Sequence, residues 1–252
     1  MARRYYISLS LILFMLITSC VTGTKTQITS AAGIDNMLRE AKRSFVKIEV
    51  SAFLTHCTEE DNGKKECIKQ LVGTASGSGS IVKYRGKKHI LTVAHVCSNE
   101  ELEFKAMLAA ATVNYDLFSL KEGYSSDKYD LAVVKIDKEN DLCLLKSVDY
   151  LDMVGDPILK ISSREPEYAE HIYSVASPIG VAEEGMVPIL EGRFAGNKFN
   201  RAYYTVPAAG GSSGSPLLNS EGRIVGVTHS VLIYFHHISV SSTYKALWNF
   251  LH

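Results

Sequence analysis

The stretch Ala209-Gly210-Gly211-Ser212-Ser213-Gly214-Ser215-Pro216 holds three glycines and three serines in eight residues. Glycine reaches backbone conformations closed to other residues, so such a run turns the chain sharply and can present main-chain N–H groups at a surface. A Gly/Ser cluster between periodic segments is by default only a loop. What narrows the reading is a second stretch, His89-Ile90-Leu91-Thr92-Val93-Ala94-His95-Val96, in which an apolar strand runs into a histidine. A serine hydroxyl is a poor nucleophile until an imidazole takes its proton, and a carboxylate must hold that imidazole in the right tautomer. The attacked carbonyl becomes an oxyanion, which needs N–H donors aimed at it. A glycine-rich serine loop and an ordered histidine are two of these parts.

Together the two stretches resemble the chymotrypsin-fold serine proteases, whose segments read Thr-x-Ala-His and Gly-x-Ser-Gly-[Gly/Ser]-Pro. The resemblance implies Ser213 as nucleophile, His95 as base, and the N–H groups of Gly211 and Ser213 as the oxyanion hole. Two aspartates compete for the third place. Asp130-Leu131-Ala132-Val133 looks like the family's Asp-Leu-Ala motif, whereas Asp141 follows a strand and a tight, polar turn. Asp141 lies 46 residues after His95, near the family's usual separation, and Asp130 only 35. Asp141 is the assignment, with Cys143 standing where the family usually has alanine.

The first twenty residues read as an address. Arg3 and Arg4 precede a short apolar core from Ile7 to Ile17, the pattern of an export signal and too short for a good membrane span. Ile17-Thr18-Ser19-Cys20 then resembles a bacterial lipobox, with Cys20 as the lipidated residue; a plain secretory signal is the alternative. The expected location is the periplasmic side of a bacterial membrane, as a lipoprotein, or outside the cell. Residues 21–33 read as a flexible tether and Ile34 to Ser44 as a helix capped by Asp35.

Beyond Cys20 there are four cysteines, Cys57, Cys67, Cys97 and Cys143. In an oxidising compartment they suggest two disulfides, although four cysteines allow three connectivities and reduced thiols are the alternative. Cys57 and Cys67 flank an Asn62-Gly63 hairpin signal, which suggests a bridge there and leaves Cys97 and Cys143 for each other. The 27 basic and 27 acidic side chains cancel, which argues against a nucleic-acid surface. His229, His236 and His237 lack a second cluster with ligand spacing, and no metal or cofactor is expected.

Strand signals dominate from Phe45 onward. Leu102 to Leu120 reads mainly as strand, although Leu108 to Val113 is ambiguous. Ser78-Gly79-Ser80-Ile81-Val82 resembles the family segment that precedes the histidine strand. It is not a phosphate loop, because no Gly-Lys-Ser/Thr closes it. Asp156 to Ile161 and Ile172 to Gly180 resemble strands opening a second barrel, and Tyr244 to Leu251 has helical spacing. The resemblance implies an all-β fold with one protease domain over residues 34–252. Its two antiparallel six-stranded barrels would span about 45–147 and 156–240, with short N- and C-terminal helices. The likeness is to compact bacterial and HtrA-type protease domains, without an appended PDZ domain.

The expected partner is a protein or peptide substrate, with the membrane reached through the lipid; oligomeric state is not legible. By alignment to the serine loop, the specificity pocket falls at Pro207 and Ala208 and at Thr228, His229 and Ser230. No acidic residue lies there to pair with an incoming Lys or Arg, and a buried unpaired cation is expensive. Side chains alternate along a strand, so His229 should face away from that pocket, leaving a preference for small or medium apolar residues. The rival reading is a non-catalytic lipoprotein of the same fold, a binding or exclusion factor.

Overall fold

The computed structural model describes residues 31–59, 65–109, 111–120, 129–148, 155–183, 186–232 and 235–252. Expectations for the export signal, Cys20, most of the tether and the Asn62-Gly63 turn lie outside these residues.

The strands fall into two groups. β1 (Phe45–Glu59), β2 (Lys65–Tyr84), β3 (Lys87–Thr92), β4 (Thr112–Leu120), β5 (Tyr129–Asp137) and β6 (Leu142–Ser147) close a barrel in the order β1-β2-β3-β6-β5-β4. β7 (His171–Val175), β8 (Ile189–Lys198), β9 (Arg201–Tyr204), β10 (Pro216–Leu218), β11 (Ile224–Leu232) and β12 (Phe235–Ser242) close the other in the order β10-β11-β12-β9-β8-β7. All ladder pairs are antiparallel, as the resemblance implied.

Burial follows the closure. Phe45, Ile48, Ile81, Ile90, Leu142 and Leu144 fill the first barrel, and Ile172, Tyr204 and Leu217 the second. β2 does not alternate: its residues from Gly77 to Val82 are all buried. One face of that segment packs into the first barrel and the other lies against the second, where Ser78 Oγ donates to the Gly211 carbonyl at 2.8 Å. A strand covered on both faces has no polar side to show.

Three expectations are corrected. α1 (Ala31–Ser44) starts three residues before Ile34, so Asp35 is inside it rather than its cap. Residues expected to be strand form α3 (Glu100–Leu108), which follows the one-turn α2 (Ala94–Cys97). Local chemistry explains this: the Asn99 side chain accepts the Leu102 N–H, and Glu100, Glu101 and Glu103 face the positive end of the helix dipole. Asp156 to Ile161 forms no barrel strand. Leu159 and Ile161 instead make single bridges to Val82 and Ile224, so this segment stitches the barrels together.

α4 (Tyr244–Leu251) closes the described chain, capped by Thr243 and burying Leu247, Phe250 and Leu251. The disulfides are Cys57–Cys67, which staples β1 to β2, and Cys97–Cys143.

Candidate active site

His95 stands on α2 at the end of β3, its side chain 47% exposed. Its Nδ1 lies 2.8 Å from Asp141 Oδ2, and its main-chain N–H donates to Asp141 Oδ1 at 3.0 Å. Both carboxylate oxygens therefore hold one residue, which fixes the ring plane and places the proton on Nδ1. That leaves Nε2 as the free acceptor. The turn before Asp141 is built by Asp137, whose carboxylate accepts both the main-chain and the side-chain N–H of Asn140. It delivers Asp141 with φ +54°, a left-handed conformation that aspartate tolerates better than most residues. Cys143 follows two residues later, and its bridge to Cys97 ties the aspartate segment to the histidine segment.

Burial works against the charge on Asp141, but the His95 hydrogen bonds outweigh it and hold the carboxyl below its ordinary pKa. The structure brings Asp141, not Asp130, to His95. Asp130 sits on β5 with its side chain exposed.

The serine loop comes from the second barrel. Two of its glycines are obligatory: a Cβ on Gly211 (φ +91°) would run into the Ser177 carbonyl, and one on Gly214 (φ +93°) into the Ser78 carbonyl. The Gly210 carbonyl accepts the Ile179 N–H at 2.6 Å, and the Ser212 carbonyl accepts the Ser215 N–H at 3.0 Å. In a trans peptide the N–H points opposite the carbonyl of the same unit. The N–H groups of Gly211 and Ser213 thus face away from those partners, and among the described residues neither donates to a protein acceptor.

Ser213 meets the histidine side of the molecule at Gly77. A Cβ there would lie 3.0 Å or less from the Val96 methyls and 3.2 Å from the Ser213 carbonyl. Its hydroxyl donates to the His229 carbonyl at 3.4 Å.

His229, which alternation along the strand turns away from the expected pocket, meets a group that the sequence did not name. Its side chain is only 7% exposed, and its Nδ1 lies 3.8 Å from Asp141 Oδ2 and 3.3 Å from Ser230 Oγ. It backs the His95–Asp141 pair rather than presenting itself to a substrate side chain. A register shift between Thr228 and Ser230 on β11 falls at this residue. Of the other expected pocket residues, Pro207 is half-buried, Ala208 and Thr228 are buried, and Ser230 is exposed. A further cavity of about 320 Å³ opens beside His95, between Val72 of β2 and Leu102 of α3.

Burial pushes the His229 pKa down to about 4; the Asp141 carboxylate opposes this, and the Arg201 and His95 charges add to it. An unfolded histidine titrates near pH 6.5. Between about pH 6.5 and 4 the unfolded chain binds a proton that the folded one refuses, so stability falls as pH falls across that window. The expected loss is about 3 kcal/mol. Asp141, with its lowered pKa, acts only below that window. Denaturant unfolding of His229→Asn should show that part of the pH dependence flattened; an unchanged profile would mean that His229 is not held neutral in the fold.

The sequence model of the trypsin-like peptidase domain matches residues 77–227, more than half of the chain. Among solved structures, the chain is similar to the serine endoprotease from Yersinia pestis, with 17% identity and a TM-score of 0.58 over 86% of this chain. This chain spans 64% of that protein's length, under two thirds of it. It is also similar to the active form of the Rv3671c protease from M. tuberculosis, with 15% identity and a TM-score of 0.57 over 88% of this chain and 85% of that one. No curated protein sequence matches. At these identities the structural likeness establishes the fold.

Proposed function

Since this chain belongs to the trypsin-like peptidase family, we propose that it is a serine endopeptidase working through Ser213, His95 and Asp141. The observation that carries the proposal is the two-point grip of Asp141 on His95, beside a serine loop whose Gly211 and Ser213 N–H groups have no protein acceptor among the described residues. In this reading the Ser213 hydroxyl, which donates to the His229 carbonyl in the free protein, turns to donate to His95 Nε2. Its oxygen then attacks the scissile carbonyl carbon while Nε2 takes the proton. The charge that develops on the carbonyl oxygen is met by the N–H groups of Gly211 and Ser213. Collapse of this intermediate expels the amine, which receives the proton from His95. Water, activated by the same imidazole, then frees the acyl group from Ser213.

The substrate is a polypeptide cleaved after small or medium apolar residues, because no carboxylate is offered at Pro207, Ala208, Thr228 or Ser230. Incubating purified protein with a fluorophosphonate probe and a mixed peptide library tests both parts. Labelling of Ser213 with cleavage after apolar residues is expected. An unlabelled protein would favour the binding-factor reading, and dominant cleavage after Lys, Arg or Glu would show other groups in the pocket.

The protein is further proposed to be exported and held to a membrane through lipidated Cys20, on the strength of Ile17-Thr18-Ser19-Cys20 behind an apolar core. Cys20→Ser should shift it from the membrane to the soluble fraction and abolish palmitate labelling. Labelling that survives the substitution would contradict the anchor.

A further inference from the structure

Ser78 lies on β2 of the first barrel, yet its N–H and its hydroxyl serve the second. It is wholly buried. Its main-chain N–H donates to the Ser213 carbonyl at 2.7 Å. Its hydroxyl donates to the Gly211 carbonyl at 2.8 Å and accepts the Ser177 N–H at 3.1 Å. Its carbonyl accepts from Thr92 Oγ1 at 2.8 Å, which connects it to the strand leading into His95. One side chain therefore links the loop after β7, which bears Ile179, to the serine loop.

Four successive peptide units run from Gly210 to Gly214, and each has a carbonyl partner. Ile179 N–H holds the first, Ser78 Oγ the second, Ser215 N–H the third and Ser78 N–H the fourth. Ser78 thus fixes two of the four, one of them by its side chain. The second unit joins Gly211 to Ser212, so its orientation governs how the Gly211 and Ser213 N–H groups sit relative to each other. Gly211 at φ +91° lacks the steric barriers that would otherwise hold that unit. With the hydroxyl removed, the half-buried Gly211 carbonyl and the buried Ser177 N–H both lose their partner, and a buried polar group without a partner drives local rearrangement.

We propose that Ser78 is a positioning residue that sets the geometry of the oxyanion-stabilising N–H pair from the opposite barrel. The inference rests on the serine peptidase reading above. Loss of a single oxyanion donor costs about a hundred- to a thousandfold in kcat. Ser78 acts one hydrogen bond away from the donors, so Ser78→Ala should lower kcat by about ten- to a hundredfold, a fraction of that donor loss. KM should stay within about twofold, since the substrate's ground state does not use the displaced donors fully.

The test compares wild type, Ser78→Ala and the near-isosteric Ser78→Cys in peptide hydrolysis and in the rate of Ser213 labelling by a fluorophosphonate, whose P=O oxygen needs the same two donors. Thermal unfolding checks that each is folded at the assay temperature. A parallel fall in kcat and labelling rate at nearly constant KM, larger for alanine than for cysteine, is the expected result. Unchanged kcat and labelling, a rise in KM alone, or failure of both variants to fold would overturn it, the last by showing that Ser78 holds the barrels together. A wild-type protein that neither labels nor cleaves would overturn the peptidase reading itself.

Discussion

Ser213→Ala is expected to fold like the wild type and to lose peptide hydrolysis by on the order of a million-fold, the usual cost of removing the nucleophile from such a triad. The physical case is local. Ser213 Oγ makes one long hydrogen bond, 3.4 Å to the His229 carbonyl, so its removal leaves no strong interaction unmet. The loop is held by main-chain contacts that alanine keeps. Stability should therefore stay within about half a kcal/mol, as for substitutions that disturb no packing or network. Stopped assays on cleaved peptide, with unfolding midpoints measured alongside, check both halves. Hydrolysis by the alanine protein near the wild-type rate would remove Ser213 from the chemistry.

Asp141→Asn should lower kcat by roughly ten-thousand-fold while the fold persists. The Asp141 carboxylate accepts at both oxygens, from the His95 main-chain N–H and from Nδ1. An amide retains one acceptor for the main-chain N–H and turns its NH2 toward Nδ1. The ring must then accept at Nδ1 and carry its proton on Nε2, where it can no longer receive one from Ser213. Asp130→Asn serves as the control and should change kcat little, because Asp130 is exposed on β5. If Asp130→Asn proved the more damaging, the roles of the two aspartates would have to be exchanged.

The fold and the candidate site residues were legible because each is marked by a local pattern. Thr92 to His95 and Gly211 to Pro216 are contiguous motifs, and the two obligatory positive-φ glycines sit inside the second. The choice between Asp130 and Asp141 was reachable from chain spacing, which a closed barrel holds nearly constant. Three things were not reachable. α3 was hidden because its apolar residues Phe104, Met107 and Leu108 are exposed, so burial does not produce its periodicity; its signals were the Asn99 cap and the glutamates behind it. The contact of His229 with Asp141 was hidden because alternation tells which face of a strand a residue takes, not which group lies behind that face. Ser78 could be quoted as part of a motif, but its partners lie 99 and 133 residues away on the other barrel. No periodicity carries such a contact.

The division of parts between the barrels also sets an order of events in time. The first barrel holds His95 and Asp141 on segments joined by Cys97–Cys143. Chains emerging from synthesis form their N-terminal units first. His95 and Asp141 can thus be brought together and cross-linked before the second barrel has formed around Ser213. Ser213 acquires its surroundings only when the later barrel closes and docks on β2. On the peptidase reading proposed above, the strands nearer the start of the chain are then folded before the site that could cut them is complete.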